Sequence, residues 1–309
     1  VEFFKKQTNI DFLGIRRITA AISIILVLGS LITLAVRGIH WGLDFTGGTV
    51  IELQYPEAAD LARIRHALQS SDFHDAIVQN YGSARDVSIR LAPREQITEQ
   101  VIAQKVTTIL SQDDPAVKLM RVEAVGSQVG KELTQQGVLA LLLALLLTAI
   151  YIAFRFEYRF GISAAVALMH DPILILGIFS LFQIEFDLAT LAAILAVIGY
   201  SLNDTIVVFD RIRENFIKMR RGESVEIINL SINQTLSRTI MTSFLTLLVV
   251  LALLFFGGPT LFGFSLAFSL GVIIGTYSSI YIAGALAVVL GLSKKDLMPR
   301  PKEELDSRP

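Results

Sequence analysis

The stretch AVIGYSLNDTIVVFDRIRENF, residues 196–216, decides how the chain is read. It runs apolar to Asn203 and Asp204, turns apolar again, and reaches clustered charge only at Asp210, Arg211 and Arg213. A carboxylate inside such a run needs a reason, and the composition of the whole chain supplies part of it. Of 309 residues 53% are hydrophobic and only 18% charged, the profile of a membrane protein. A span needs roughly 20 mostly apolar residues, and six stretches qualify: about 18–36, 137–156, 161–183, 188–209, 239–257 and 262–290. The net charge of −1 gives no field that would favour nucleic acid. Cysteine is absent, which excludes disulfides and thiolate metal sites. The first apolar run is too long for a signal-peptide core and reads as an uncleaved helix.

Lys and Arg flank alternate ends of these spans. Lys5, Lys6, Arg16 and Arg17 precede the first, Arg155 and Arg159 follow the second, and Arg211, Arg213, Lys218, Arg220 and Arg221 follow the fourth. Lys294, Lys295, Arg300, Lys302 and Arg308 follow the sixth, whereas the turns QIEFD and GGPT carry none. The positive-inside bias then predicts both termini in the cytoplasm and the loop 38–132 outside it.

That loop reads strand (49–55), helix (57–70), strand (76–81), strand (87–92), helix (95–112), strand (117–125), with Ile97, Val101, Ile102, Val106 and Ile109 at helical spacing in the second helix. The βαββαβ order predicts a two-layer, ferredoxin-like α+β domain. From 44 to 132 there are thirteen acidic residues against nine basic, so a nucleic-acid surface is not expected. The expected fold is an α-helical membrane protein of six transmembrane helices, with this domain inserted between the first and second. The expected divisions are 1–37 (tail and first span), 38–132 (outer domain), 133–292 (remaining spans) and 293–309 (tail).

Asp204 falls about sixteen residues into the fourth span, roughly 24 Å from its outer end. An ionised Asp at a helix centre costs about 2.5–3.5 kcal/mol on insertion scales. Its tolerable states are therefore protonated or paired with a cation. Exchange between those states is proton carriage; a static pair, or snorkelling to the interface, is the simpler alternative. Arg238, in NQTLSRTIMTSF at the start of the fifth span, is the expected cation, because antiparallel neighbours bring a residue late in one helix to one early in the next. Tyr200, Ser201, Asn203, Thr205 and Thr242 could hydrogen-bond such a pair, or serve only as glue between helices. His170 and Asp171, beside Pro172 in the third span, read either as a second proton station or as groups satisfying a proline kink.

Three further features have structural readings. Gly263, Ala267, Gly271, Gly275, Ser279, Ala283 and Ala287 recur every fourth residue and predict close packing that winds around the last helix. GLDFTGG (42–48) offers adjacent glycines for a tight junction or a hinge, with Asp44 closing a local turn. RIRENFIKMRRGE (211–223) has Ile212, Phe216 and Met219 along one side, as a segment on the inner leaflet would; a solvated charged face is the alternative reading.

WGLDFTGGT (41–49), FRFEYR (154–159), HD (170–171), GYSLNDTIVVFDRIRENF (199–216), SRT (237–239), FGGPTLFGFS (256–265) and GTYSSIYIA (275–283) together resemble the SecF family of bacterial protein-export subunits. The resemblance implies a multi-pass protein of the bacterial inner membrane, paired with SecD in an RND-superfamily machine that assists the SecYEG translocon, with YajC as an associate. It implies an unfolded preprotein as substrate, protons as coupling ion, no cofactor, no metal and no enzymatic activity. Asp204 and Arg238 match the family's proton-path residues, and SecD holds a further acidic residue of that path. An intramembrane aspartyl protease built on Asp171 and Asp204 is disfavoured, since the Gly-x-Gly-Asp pattern is absent. A scaffold that stabilises SecD or the translocon without moving protons remains the alternative.

Overall fold

The computed structural model describes residues 8–81, 83–94, 98–219 and 222–293. Lys5, Lys6, Ile97, Arg220, Arg221 and the tail from Lys294 to Arg308, all used above, lie outside the described residues. Six helical segments are long and apolar enough to cross a membrane: Arg16–Arg37, Ser127–Arg155, Tyr158–Phe182, Leu188–Lys218, Ser224–Phe256 and Pro259–Val289. The chain divides into two compact units. One holds residues 40–140 and 185–191; the other holds the rest.

The smaller unit follows the expected order of elements: α2 (Leu43–Thr46; α1 is Arg16–Arg37), β1 (Gly48–Gln54), α3 (Leu61–Gln69), β2 (Ile77–Tyr81), β3 (Ser83–Leu91), α4 (Glu99–Asp113) and β4 (Lys118–Val125). The strands form one sheet in the order β2-β3-β1-β4, with every neighbouring pair antiparallel. Alternate residues of the central strands, Ile51 and Leu53 on β1 and Val87, Ile89 and Leu91 on β3, are buried. Ile64 and Leu68 of α3, with Ile102, Val106 and Leu110 of α4, join the same core. Burying each such side chain contributes about 1.5–3 kcal/mol, which explains why period two in the strands and period 3.6 in the helices were legible.

Boundaries moved for local reasons. β3 starts at Ser83 rather than 87 because the hairpin pairs Tyr81 with Ser83 directly. α3 starts at Leu61 rather than 57 because the Asp60 carboxylate accepts from the Ala62 and Arg63 amides, an N-cap that fixes where a helix can begin. α5 (Ser127–Arg155) starts ten residues before the apolar run.

The GLDFTGG segment is a junction of more parts than expected. Asp44 does not close its own turn; its Oδ2 accepts from the Leu188 amide at 2.9 Å, far along the chain. Phe45 stacks on Phe186, and Trp41 meets both edge-on. Gly47 and Gly48 both have positive φ, 68° and 120°. A Cβ on Gly48 would lie 2.3 Å from the Leu91 carbonyl oxygen, so β1 can pair with β3 here only through glycine.

In the larger unit α1 packs along α6 (Tyr158–Phe182), and α8 (Ser224–Phe256) along α9 (Pro259–Tyr277). The last span continues through a π-helical turn, Ser278–Ala283, into α10 (Gly284–Val289). All seven small residues of the every-fourth series are buried. A Cβ on Gly271 would sit 2.1 Å from Val197 of α7 (Leu188–Lys218), and one on Gly275 would sit 3.5 Å from Asp171 Oδ2 of α6. The series does touch two neighbours, as its drift predicted. The π turn was not foreseen. Residues 211–218 are the end of α7, which runs on to Lys218 with Ile212 and Phe216 buried and Ile217 and Lys218 exposed. The apolar side therefore faces protein rather than lipid.

Gly48→Ala should weaken the smaller unit by about 1–3 kcal/mol, seen as faster proteolysis within the sheet. Gly29→Ala, in open space within α1, should be neutral or stabilising by up to about 1 kcal/mol. Equal behaviour of the two variants would refute the steric account.

Candidate functional site

Every fourth residue of α8 from Ser231 carries a hydroxyl: Ser231, Thr235, Thr239 and Ser243. All four are buried, because residues so spaced share one helix face. Three of them meet α7 in antiparallel order. Asn215 Nδ2 donates to Ser231 Oγ at 2.8 Å, Thr239 Oγ1 donates to Asp204 Oδ1 at 2.6 Å, and the Tyr200 hydroxyl donates to Ser243 Oγ at 3.2 Å. Asp204 thus sits within a polar seam between two long helices. Its side chain is buried, at 8% exposure.

The carboxylate is incompletely satisfied. Oδ2 is buried and has no hydrogen-bond partner among the described residues; the Ser279 hydroxyl and the Arg238 guanidinium are further polar groups around the side chain. A buried ionised carboxylate accepts hydrogen bonds at both oxygens, and leaving one bare is costly. A protonated carboxyl, or one awaiting a cation, tolerates this geometry better.

The expected pair with Arg238 is not formed. Arg238 is exposed, and among the described residues it holds no ion pair; its neighbour Thr239 takes the inward position instead. Adjacent helical residues point about 100° apart, so only one of the two can face Asp204 squarely. Thr242 bonds to the Arg238 and Thr239 carbonyls of its own helix. Asn203 is exposed and takes no part in the seam. Thr205 pairs with Ser279 of the π turn at 2.9 Å.

His170 and Asp171 are brought together with residues of other helices. His170 Nδ1 lies 3.0 Å from Asp171 Oδ1, while Asp171 Oδ2 accepts from Ser201 Oγ at 2.5 Å and Ser278 Oγ at 3.0 Å. Neither side chain caps a carbonyl freed by Pro172, so the kink reading is not what the side chains do. Thr239, Ser278 and Ser279 were missed in the sequence. The hydroxyl stripe of α8 was the available signal for Thr239; nothing in the spacing marked the π turn.

The family model for the C-terminal part of the protein export membrane proteins SecD/SecF matches residues 105–293. A second, for the SecD/SecF GG motif, matches residues 32–55. Protein translocase subunit SecF of Pseudomonas aeruginosa is 50% identical over 98% of this chain and 99% of its own length. SecF of Escherichia coli O157:H7 is 48% identical over 92% of this chain and 88% of its own. The crystal structure of SecDF, a translocon-associated membrane protein from Thermus, superposes with a TM-score of 0.84 at 36% identity, covering 94% of this chain. This chain spans only 40% of that SecDF chain. With six apolar helices, one antiparallel sheet unit and near full-length identity to SecF subunits, the chain belongs to the SecF branch of the SecD/SecF family of protein-export membrane proteins.

Proposed function

We propose that the chain is the smaller subunit of a proton-driven SecDF-type complex, which assists SecYEG-mediated export of unfolded preproteins across the bacterial inner membrane. SecD would be its stable partner, a reading supported by the longer SecDF chain of Thermus, with YajC and the translocon as associates. The sheet unit would lie on the outer face and both termini in the cytoplasm, as the Lys and Arg placement favours. The reading assigns no enzymatic step and no cofactor.

One observation carries the proton part: Asp204 is buried, holds one hydrogen bond from Thr239, and keeps a second oxygen bare. Such a group exchanges readily between a protonated state and an ionised state that needs a cation. Arg238, one residue from Thr239 and exposed in this chain, is the cation available for the ionised state. Arg does not deprotonate and offers a forked donor, so its approach and release can follow the charge of Asp204. A charge crossing 100 mV is worth about 2.3 kcal/mol, enough to shift a two-pose equilibrium by about fifty-fold. Helix repacking at the α7–α8 seam would then drive motion of the outer unit that holds and releases the emerging preprotein.

Export into inverted vesicles, with and without a proton gradient, tests this. Asp204→Asn and Arg238→Met should each abolish the gradient-stimulated fraction of export and leave the ATP-driven fraction; equal gradient dependence in all three proteins would leave only a scaffold. Thr239→Val should reduce gradient-stimulated export by about five-fold, the worth of one net hydrogen bond of about 1 kcal/mol. Thr242→Val, whose hydroxyl serves its own helix, should leave it unchanged.

A further inference from the structure

We infer that Asp171 and His170 form a second proton-binding site, contained wholly within this chain and coupled to Asp204 through the π turn Ser278–Ala283. The inference rests on the proton-carrying role proposed for Asp204. It deepens that role by adding a station to the path and naming the element that joins the two.

Asp171 is 1% exposed, and its three hydrogen bonds come from three helical segments: His170 on its own helix, Ser201 on α7 and Ser278 in the π turn. Ionised, it is a satisfied acceptor at both oxygens. His170 is 6% exposed and uses Nδ1 on Asp171, while its Nε2 is buried and has no partner among the described residues. With Nδ1–H donating, Nε2 carries a bare lone pair. The pair in this state holds one proton and a net charge of −1. Binding a second proton at Nε2 gives imidazolium beside carboxylate, net zero, which a low-dielectric interior favours over an uncompensated charge.

Among the described residues the one ion pair of Asp171 is with His170. α1 presents Ser23 and, at the rim of a groove of about 720 Å³ that His170 lines, Arg16 and Arg17. The last span presents Tyr277, which stacks on the His170 ring, and Tyr281 beside it. α7 presents Asp204, one turn beyond Ser201.

Two consecutive residues of the π turn connect the sites. Ser278 donates to Asp171, and Ser279 pairs with Thr205, the neighbour of Asp204. π turns insert an extra residue into a helix and recur at functional positions; here the widened turn lets adjacent serines reach two carboxylate sites. Preceding it, Tyr277 donates to the Thr19 carbonyl and lies 3.0 Å from Ser23, so a change in the turn is also felt by α1. A proton gained at one site alters the hydrogen bonds the turn can make at the other.

Histidine-selective ¹⁵N NMR of the SecD-containing complex in nanodiscs reads the site directly, because the chain has four histidines and His170→Gln identifies the signal. Across a pH series the His170 signal should show both neutral and cationic imidazole, with a midpoint that shifts in Asp204→Asn and does not respond to replacing potassium by sodium. A single form throughout, or an identical midpoint in wild type and Asp204→Asn, overturns the coupled site. A sodium-dependent shift at constant pH overturns the proton as ligand. In vesicle export His170→Gln and Asp171→Asn should lose gradient stimulation and keep ATP-driven export; retained stimulation in His170→Gln overturns the inference even if Asp171→Asn fails to fold. Failure of the Asp204 role shows separately, as gradient stimulation surviving Asp204→Asn.

Discussion

A carboxylate held out of water with one donor and one bare oxygen is the constraint around which the helical unit is organised. The surrounding side chains exclude water from Asp204, and the hydrogen bond from Thr239 offsets part of that cost. An ion-paired Asp204 would have been a settled structural element. Arg238 is exposed instead, and the proton-carrying role proposed for Asp204 requires a second arrangement in which the two meet.

Close helix packing makes the short hydroxyls useful. A serine or threonine side chain spans little distance, so it bonds across a helix interface only where the backbones approach closely. Gly275 shows how this is achieved: a Cβ there would lie 3.1 Å from the Ser201 Cβ and 3.5 Å from Asp171 Oδ2. Glycine at that point leaves room for the serine–aspartate contact. The every-fourth series of small residues and the polar network are therefore two aspects of one interface, and Ser279, a member of the series that pairs with Thr205, belongs to both.

Much of this was legible before any coordinates. Six spans rest on the length of apolar runs, the order of strands and helices in the inserted unit on periodicity, and the packing role of the small residues on their every-fourth spacing, all of which a sequence displays directly. The extent of helices was less legible, because α5 begins in a polar segment ahead of its apolar run and α7 continues past its own as an amphipathic one, where composition alone marks a boundary. Asp44 was assigned to its own turn because sequence reasoning favours local partners; its actual donor, Leu188, is 144 residues away.

At the site, the sequence determined which chemistry was possible: a lone acidic residue in an apolar run, an arginine at matching depth, a histidine next to an aspartate. It determined these because burying charge in lipid is expensive enough that such residues are seldom accidental. Which groups actually touch was decided by tertiary structure. The rotation of α8 placed Thr239 inward and Arg238 outward, and the π turn brought Ser278 and Ser279 to separate partners. Both outcomes turn on helix phase, a matter of tens of degrees set by packing across the whole interface, and no single residue encodes it.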